Sequence, residues 1–210
     1  TQDYLADKGG AVYVFDKPLD GWKNMTQTAI LNASDVAHSS YVGISVDIDG
    51  DTIVAGGQGN EAAYVFIKPA SGWESTTQDA KLAASANASS FGAAVAIANN
   101  HIVAGAPATN SGTGNAFIFK RPATGWTDMV ETATLTAAQG EENDDFGRYV
   151  DISDSTVVVS TKPSAPAYIF NQPEEGWQDT TETKYFVQDG FNQSAVSGKH
   201  CVVGASEAAY

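Results

Sequence analysis

Four Gly-Trp pairs recur along the chain at nearly constant spacing, and this repetition constrains the fold more than any other feature of the sequence. Their tryptophans lie 51, 53 and 51 residues apart and are the only tryptophans in the chain. They are Trp22, Trp73, Trp126 and Trp177. Self-similarity at a period of about 50 residues indicates a repeat architecture in which each unit is one supersecondary motif.

Each unit contains four runs with the composition of β-strands. An aromatic-rich run ended by a proline precedes each Gly-Trp pair, as in 64–66 before Pro69. A Thr-rich, half-polar run follows the tryptophan, and two apolar runs joined by a two-residue turn close the unit. Gly50-Asp51 and Asn99-Asn100 are residue types that such hairpin turns require. The pattern predicts an all-β fold, a β-propeller with four antiparallel strands per blade, with a β-sandwich as the runner-up.

The repeats predict a single domain over residues 1–210. The units are approximately 9–60, 61–113, 114–165 and 166–206, and residues 207–210 repeat the opening of the second unit at 61–64. The sequence fits a four-bladed ring or part of a larger propeller. Because the aromatic strand begins a fifth time, we expect a strand edge that is taken up by further repeats or by a neighbouring molecule.

Composition excludes several classes of partner. The chain has 25 acidic and 11 basic residues and a net charge of −14, which repels nucleic acid and anionic lipid. No stretch approaches the roughly 18 to 20 apolar residues of a membrane-spanning helix, so membrane insertion is not expected. The single cysteine, Cys201, cannot form an internal disulfide, and it occupies a position that is apolar in the other repeats, so we predict a small core residue.

The second unit carries both words of a known repeat motif. Phe91-Gly92 opens its third run, and Gly105-Ala106-Pro107 ends its fourth. The pattern resembles the FG-GAP repeat, which builds the propeller of integrin α-chains, and the Trp-bearing segment is similar to the bacterial surface-protein variant. The resemblance implies a non-enzymatic, extracellular or cell-surface propeller with a structural or adhesive role. Together with the additional strand, it suggests the repeating unit of a self-assembling surface filament.

Two alternative functions stay open on the sequence. The four tryptophans suggest a carbohydrate-binding propeller, although a tryptophan at a fixed blade position more often packs between blades. Integrin-type repeats carry an Asp-rich calcium loop, which implies a calcium-dependent adhesion domain. Here only Asp47, Asp49 and Asp51 are similar to it, and a two-residue turn cannot supply six to eight oxygen ligands. The better calcium candidates are Glu142, Asp144 and Asp145.

The remaining motifs point to modification rather than to catalysis. Four Asn-X-Ser/Thr sequons predict glycosylation at Asn24, Asn32, Asn87 and Asn192. The three histidines, His38, His101 and His200, share no spacing with carboxylates or serines that would form a triad. We therefore predict no enzymatic activity and no cofactor other than calcium. The expected partners are further copies or repeats of the same protein, and glycans.

Overall fold

The computed structural model describes residues 9–162, 165–186 and 191–205, and only the backbone of 191, 192 and 205. The repeated segment at 207–210 lies outside the described residues. The described chain is built from β-strands, with one turn of 3-10 helix (Gln58–Asn60) and one short helix, α1 (Thr109–Gly112). The prediction of an all-β fold is confirmed. None of the helices in the described ranges has the length and apolarity to cross a membrane.

Eighteen strands follow one another in the described residues. They are β1 (Val12–Val14), β2 (Ala29–Asn32), β3 (Val46–Asp49), β4 (Thr52–Gly57), β5 (Ala62–Ile67), β6 (Thr76–Thr77), β7 (Ala80–Leu82), β8 (Ala94–Ala98), β9 (His101–Ala106), β10 (Asn115–Lys120), β11 (Ala133–Thr136), β12 (Tyr149–Ser153), β13 (Thr156–Ser160), β14 (Ala167–Asn171), β15 (Thr180–Thr181), β16 (Lys184–Phe186), β17 (Phe191–Ser197) and β18 (His200–Ala205).

Three complete sheets repeat the same antiparallel strand order. Sheet 1 is β3-β4-β5-β7, sheet 2 is β8-β9-β10-β11, and sheet 3 is β12-β13-β14-β16. The first two strands of each sheet form a hairpin with a two-residue turn, for example Asp49 opposite Thr52. The Thr-rich runs form the outer strands, and the short β15 joins sheet 2 in parallel to β11. The fold is therefore propeller-like, with sheets that correspond to blades.

Two incomplete sheets flank these three along the chain. The N-terminal half-sheet, β1-β2 with the short β6, corresponds to the third and fourth strands of a complete sheet. The C-terminal half-sheet, β17-β18, corresponds to the first and second strands. Each complete sheet thus takes its first hairpin from one sequence repeat and its outer strands from the next. Among the described residues β1 does not pair with β18, so no closed ring is formed.

The core consists of three apolar layers, each between neighbouring sheets. One tryptophan closes each layer: Trp73 between the N-terminal half-sheet and sheet 1, Trp126 between sheets 1 and 2, and Trp177 between sheets 2 and 3. In the last layer the ring of Phe146 meets that of Tyr168 edge-on, at 5.3 Å between centroids. Edge-to-face pairs of this kind add to the burial of the rings themselves.

The glycines of the two segments of the repeat motif, Phe-Gly and Gly-Ala-Pro, contact each other where one sheet packs on the next. A Cβ on Gly105, in β9 of sheet 2, would lie 1.9 Å from the carbonyl oxygen of Gly147, which precedes β12 of sheet 3. A Cβ on Gly56 would lie 2.0 Å from the carbonyl oxygen of Gly92. Backbones this close leave no space for a side chain, so the motif requires glycine at these contacts.

Hydrogen bonds across the layers fix neighbouring sheets at their inner edge. The Asp47 carboxylate accepts the backbone N–H groups of Ile48, at 2.8 Å, and of Ile97 in the next sheet, at 2.8 Å. Asp151 repeats this arrangement, accepting the N–H groups of Ile152 at 2.9 Å and of Val196 at 2.6 Å. Both carboxylates therefore link the first strand of one sheet to that of the next.

A second set of hydrogen bonds fixes the outer edge. The residue two positions after each buried tryptophan accepts an N–H from the outer strand of the preceding sheet. The pairs are Ile30 to Ser75 (3.0 Å), Lys81 to Asp128 (2.8 Å) and Thr134 to Asp179 (2.8 Å). The same bond therefore recurs at three junctions and links the outer strand of one sheet to the segment after the tryptophan of the next sheet.

Candidate functional site

The N-terminal half-sheet exposes large apolar side chains at positions that are buried in the other repeats. Trp22 is 65% exposed, whereas the other three tryptophans are at most 8% exposed. Tyr13 is 56% and Phe15 47% exposed, although their counterparts in the three complete sheets are all buried. Large aromatic side chains stabilise a fold mainly when they are covered, so this edge forms an exposed apolar patch.

An apolar groove lies beside this edge. It has a volume of about 300 Å³ and runs between β1 and the first hairpin of sheet 1. Val46 and Ile48, on the sheet 1 wall, are 53% and 56% exposed, whereas the residues at their positions in sheets 2 and 3 are buried. The groove occupies the place where the first hairpin of a complete sheet would lie.

The opposite end of the row carries a matching set. Val202 in β18 is 66% exposed, whereas its counterparts Val54, Val103 and Val158 are fully buried. Phe186 in β16 is 43% exposed, whereas the leucines at its position in the preceding outer strands are fully buried. Each end of the molecule therefore presents the apolar residues that a neighbouring sheet covers elsewhere. We call these the N-terminal edge (Tyr13, Phe15, Trp22, Val46, Ile48) and the C-terminal edge (Phe186, Val202).

Three of the tryptophans proposed as sugar-binding residues lie inside the apolar layers. Trp73, Trp126 and Trp177 are 6% to 8% exposed and offer no face for a sugar ring to stack on. Trp22 alone presents its ring to solvent. The repeated tryptophan thus has one packing role at three sheet junctions and an uncovered face at the fourth.

The carboxylates proposed as calcium ligands are engaged with cations of the chain itself. The Asp144 carboxylate lies 3.7 Å from the Lys162 ammonium and accepts the N–H of Glu141 at 2.8 Å. Asp145 pairs with Arg148 at 3.1 Å, and Glu142 is exposed. Across the described ranges, no group of three or more His, Cys, Asp or Glu side chains is arranged to hold a metal ion.

Three of the four sequon asparagines are solvent-exposed. Asn24 lies in the segment after Trp22, Asn32 ends β2, and Asn87 lies in the loop after β7. The side chain of Asn192 falls outside the description. Glycosylation of Asn24, Asn32 and Asn87 is thus sterically possible and stays a prediction.

The histidines do not assemble a catalytic site. His38 and His200 are exposed, and the His101 imidazole lies 3.1 Å from the carbonyl oxygen of Asn99, two residues before it in the turn. Burial lowers the pKa of His101 and keeps it neutral at pH 7. Cys201 is partly buried, and burial together with the nearby Asp151 carboxylate raises the pKa of its thiol.

The first hairpins of the sheets surround a central cavity of about 470 Å³. Ser45, Ala94, Tyr149 and Ser194 line it, one from each first hairpin, together with apolar and small residues that include Val150, Val202 and Gly204. Burial and the charge of Asp47 raise the pKa of Asp151. The lining combines small and polar side chains with Val150 and Val202, and it brings Val202 of the C-terminal half-sheet and Ser45 before β3 to the same cavity.

A polar cluster on sheet 1 yields a pH prediction. Tyr64 donates its hydroxyl hydrogen to the Asp35 carboxylate at 2.8 Å, and Lys81 pairs with the same carboxylate. Partial burial opposes ionisation, but the hydrogen bonds from Lys81 and Tyr64 outweigh it and lower the pKa of Asp35. The charged form is thus favoured in the folded state.

We expect Asp35→Asn to lower the melting temperature slightly at pH 6, by the equivalent of at most about 1 kcal/mol because the pair is partly exposed. A lowered pKa stabilises the fold above the unfolded value of 3.8 and loses this effect as pH falls through the folded pKa. The difference between wild type and variant should therefore shrink below pH 3.8. Asp20→Asn, which breaks the exposed pair with Lys23, is the control and should change little at either pH. A difference that grows in acid would contradict this assignment.

The repeated sheets and the layered core define the class of the molecule: a β-propeller-like repeat protein. Within that class, two segments of the chain, residues 25–66 and 129–172, match the family model described as FG-GAP repeat. The family resemblance predicted from the motif words is confirmed. A search of curated proteins found no match to the sequence.

Three solved structures share the fold at low identity. The computationally designed Ika4 protein aligns with a TM-score of 0.54 and 12% identity, over 84% of this chain and 91% of that one. U3-55K aligns at 0.57 and 16%, over 86% and 51%. Kuenenia stuttgartiensis hydrazine synthase aligns with a TM-score of 0.52 and 9% identity, over 80% of this chain and 42% of that one. The chain thus spans about half the length of U3-55K and less than half that of the hydrazine synthase chain. These likenesses concern the fold alone.

Proposed function

We propose that this protein is a non-enzymatic structural propeller of the cell surface or extracellular space, and that its copies join head to tail into a filament. FG-GAP repeats typically occur in extracellular adhesion-type propeller domains, and the family is generally non-enzymatic. This supports the class and location. The head-to-tail assembly goes further and rests on the structure of the two edges.

One observation carries the proposal: the apolar residues exposed at one end are those that the other end would cover. Val202 at the C-terminal edge is uncovered at a position that is buried in all three complete sheets, and Ile48 at the N-terminal edge at one that is buried in sheets 2 and 3. A head-to-tail contact uses two different surfaces, so it extends into a filament when its rotation does not close a ring. The net charge of −14 makes the copies repel one another at low salt. Dissolved ions screen this repulsion, so we expect assembly at higher ionic strength.

Light scattering after size exclusion tests this function. We expect the mean molar mass to rise above the 21.9 kDa of one chain with protein concentration, and further when salt is raised from about 0.05 M to 0.5 M. Val202→Asp should return the mass to that of one chain, because it places a charge on the C-terminal edge. Val130→Asp is the matched control, since Val130 is equally apolar and exposed but lies outside both edges. A 21.9 kDa species at all concentrations would overturn the proposed function.

A further inference from the structure

We propose that the C-terminal half-sheet of one copy and the N-terminal half-sheet of a second copy form one complete four-stranded sheet, in which β18 pairs antiparallel with β1. The inference rests on the proposed function and names the partner, a second copy of this chain. Within one copy the N-terminal half-sheet packs on sheet 1 and β17 packs on sheet 3, and β1 and β18 are not paired with each other among the described residues. Over the ranges that the structure describes, each half-sheet has the strands that the other lacks.

The three complete sheets fix the register of this pairing. Their second and third strands align Ile53 with Phe66, Ile102 with Phe119, and Val157 with Phe170. The corresponding residues at the open edges are Cys201 and Phe15. We therefore place Cys201 of one copy directly opposite Phe15 of the next, and Val203 opposite Tyr13.

The apolar layers predict what Val202 contacts. Val54 of sheet 1 shares a layer with three apolar residues of sheet 2, and Val103 of sheet 2 shares one with their counterparts in sheet 3. The first trio is Val95, Ile97 and Ile102, and the second is Val150, Ile152 and Val157. The corresponding trio in sheet 1 is Val46, Ile48 and Ile53, which line the apolar groove. Val202 of one copy fits into that groove on the next copy, where it completes the same layer.

The glycine contacts support the same junction. Gly204 occupies the position of Gly56 and Gly105. A Cβ on Gly204 would have a single neighbour, the carbonyl oxygen of Gln193 at 3.8 Å, so the space beside it is almost open. Gly43 occupies the position of Gly92 and Gly147. A Cβ on Gly43 would lie nearest to the carbonyl oxygen of Ala11, at 2.9 Å. Joining the half-sheets brings Gly204 of one copy against Gly43 of the next. Both positions thus carry glycine, as at the contacts of sheet 1 with sheet 2 and of sheet 2 with sheet 3, whereas sheet 3 has Ser160 at this position.

The outer edge gives a fourth contact. Asn24 follows Trp22 by two positions, as Ser75, Asp128 and Asp179 follow their tryptophans. In the joined sheet the Asn24 side-chain oxygen accepts the N–H of Tyr185 from the preceding copy, the counterpart of Thr134 and Lys81. A glycan on Asn24 would occupy this contact, so assembled copies carry Asn24 unmodified.

A cysteine pair tests the register directly, because Cys201 is the only cysteine of the chain. Residues directly opposite in an antiparallel pair have Cα atoms about 4.5 to 5.5 Å apart, within the range of a disulfide. We would mix wild type with Phe15→Cys/Cys201→Ser, so that a link can form only between copies. Diamide oxidises the two thiols to one disulfide and is itself reduced to the hydrazine. Since the Cys201 pKa is raised, the reaction is run above about pH 8.5.

The expected product is a cross-linked pair at twice the 21.9 kDa of one chain, seen on a non-reducing gel. Tyr13→Cys/Cys201→Ser, two residues off register, is the control and should link at most one tenth as much. A disulfide within the single-chain variant Phe15→Cys, with none in the mixture, would overturn the second copy as partner. Association by light scattering without any link at Cys201 would overturn the register and leave the proposed function standing. Absence of association overturns both.

Discussion

Trp126→Ala is expected to lower the free energy of unfolding by about 3 to 5 kcal/mol, whereas Trp22→Ala should change it by no more than about 0.5 kcal/mol. The two residues occupy the same position in their repeats. Trp126 is buried in the layer between sheets 1 and 2, so its removal leaves a cavity, but Trp22 is 65% exposed. The loss of stability is therefore determined by the cavity that the substitution leaves, and not by the position in the repeat.

Denaturant or thermal unfolding of dilute, unassembled protein measures this difference. Trp22→Ala serves as the matched control, and it should also weaken self-association because Trp22 belongs to the N-terminal edge. Equal losses of stability for the two variants would contradict the structure, since they would mean that Trp22 is covered within one copy.

Gly105→Ala is expected to cost about 3 kcal/mol, or roughly 6 to 12 °C in melting temperature. The added Cβ would lie 1.9 Å from the Gly147 carbonyl oxygen, and a backbone atom cannot move away without separating sheets 2 and 3. Thermal unfolding measured by circular dichroism checks this value.

Gly204→Ala is the matched control, because it changes the same motif position at a place with space for the methyl group. We expect a change in melting temperature of no more than about 2 °C for the unassembled chain, together with weaker association. If Gly105→Ala and Gly204→Ala destabilise the chain equally, the contact between motif glycines is not what fixes the sheets.

Much of the fold follows from the sequence because the repeat is local. The two-residue turns, such as Asn99-Asn100, and the outer Thr-rich strands lie where their residue types predict them. A turn sequence between two apolar runs is enough to predict such a hairpin, because its two strands are close in sequence. The resemblance to FG-GAP repeats, too, could be predicted from Phe91-Gly92 and Gly105-Ala106-Pro107, and the structure shows that Gly92 and Gly105 lie at close backbone contacts between sheets.

The assignment of strands to sheets and the exposure of single residues could not be predicted in this way. A sequence unit that opens with the aromatic run suggests that its four strands form one sheet, but the sheets are offset from the units by two strands. Trp22 and Trp126 are equivalent in sequence, and only the presence of a neighbouring sheet, a long-range property, separates them.

Hydrogen exchange of the two open strands tests the central claim most directly. In dilute protein, peptides covering 11–16 and 200–205 should exchange rapidly, because β1 and β18 each have one unpaired edge among the described strands. In concentrated protein both peptides should become protected together, to the level of 115–120 in β10, which is paired on both sides. Exchange at the same rate at all concentrations, whether fast or slow, would contradict a sheet completed by a second copy.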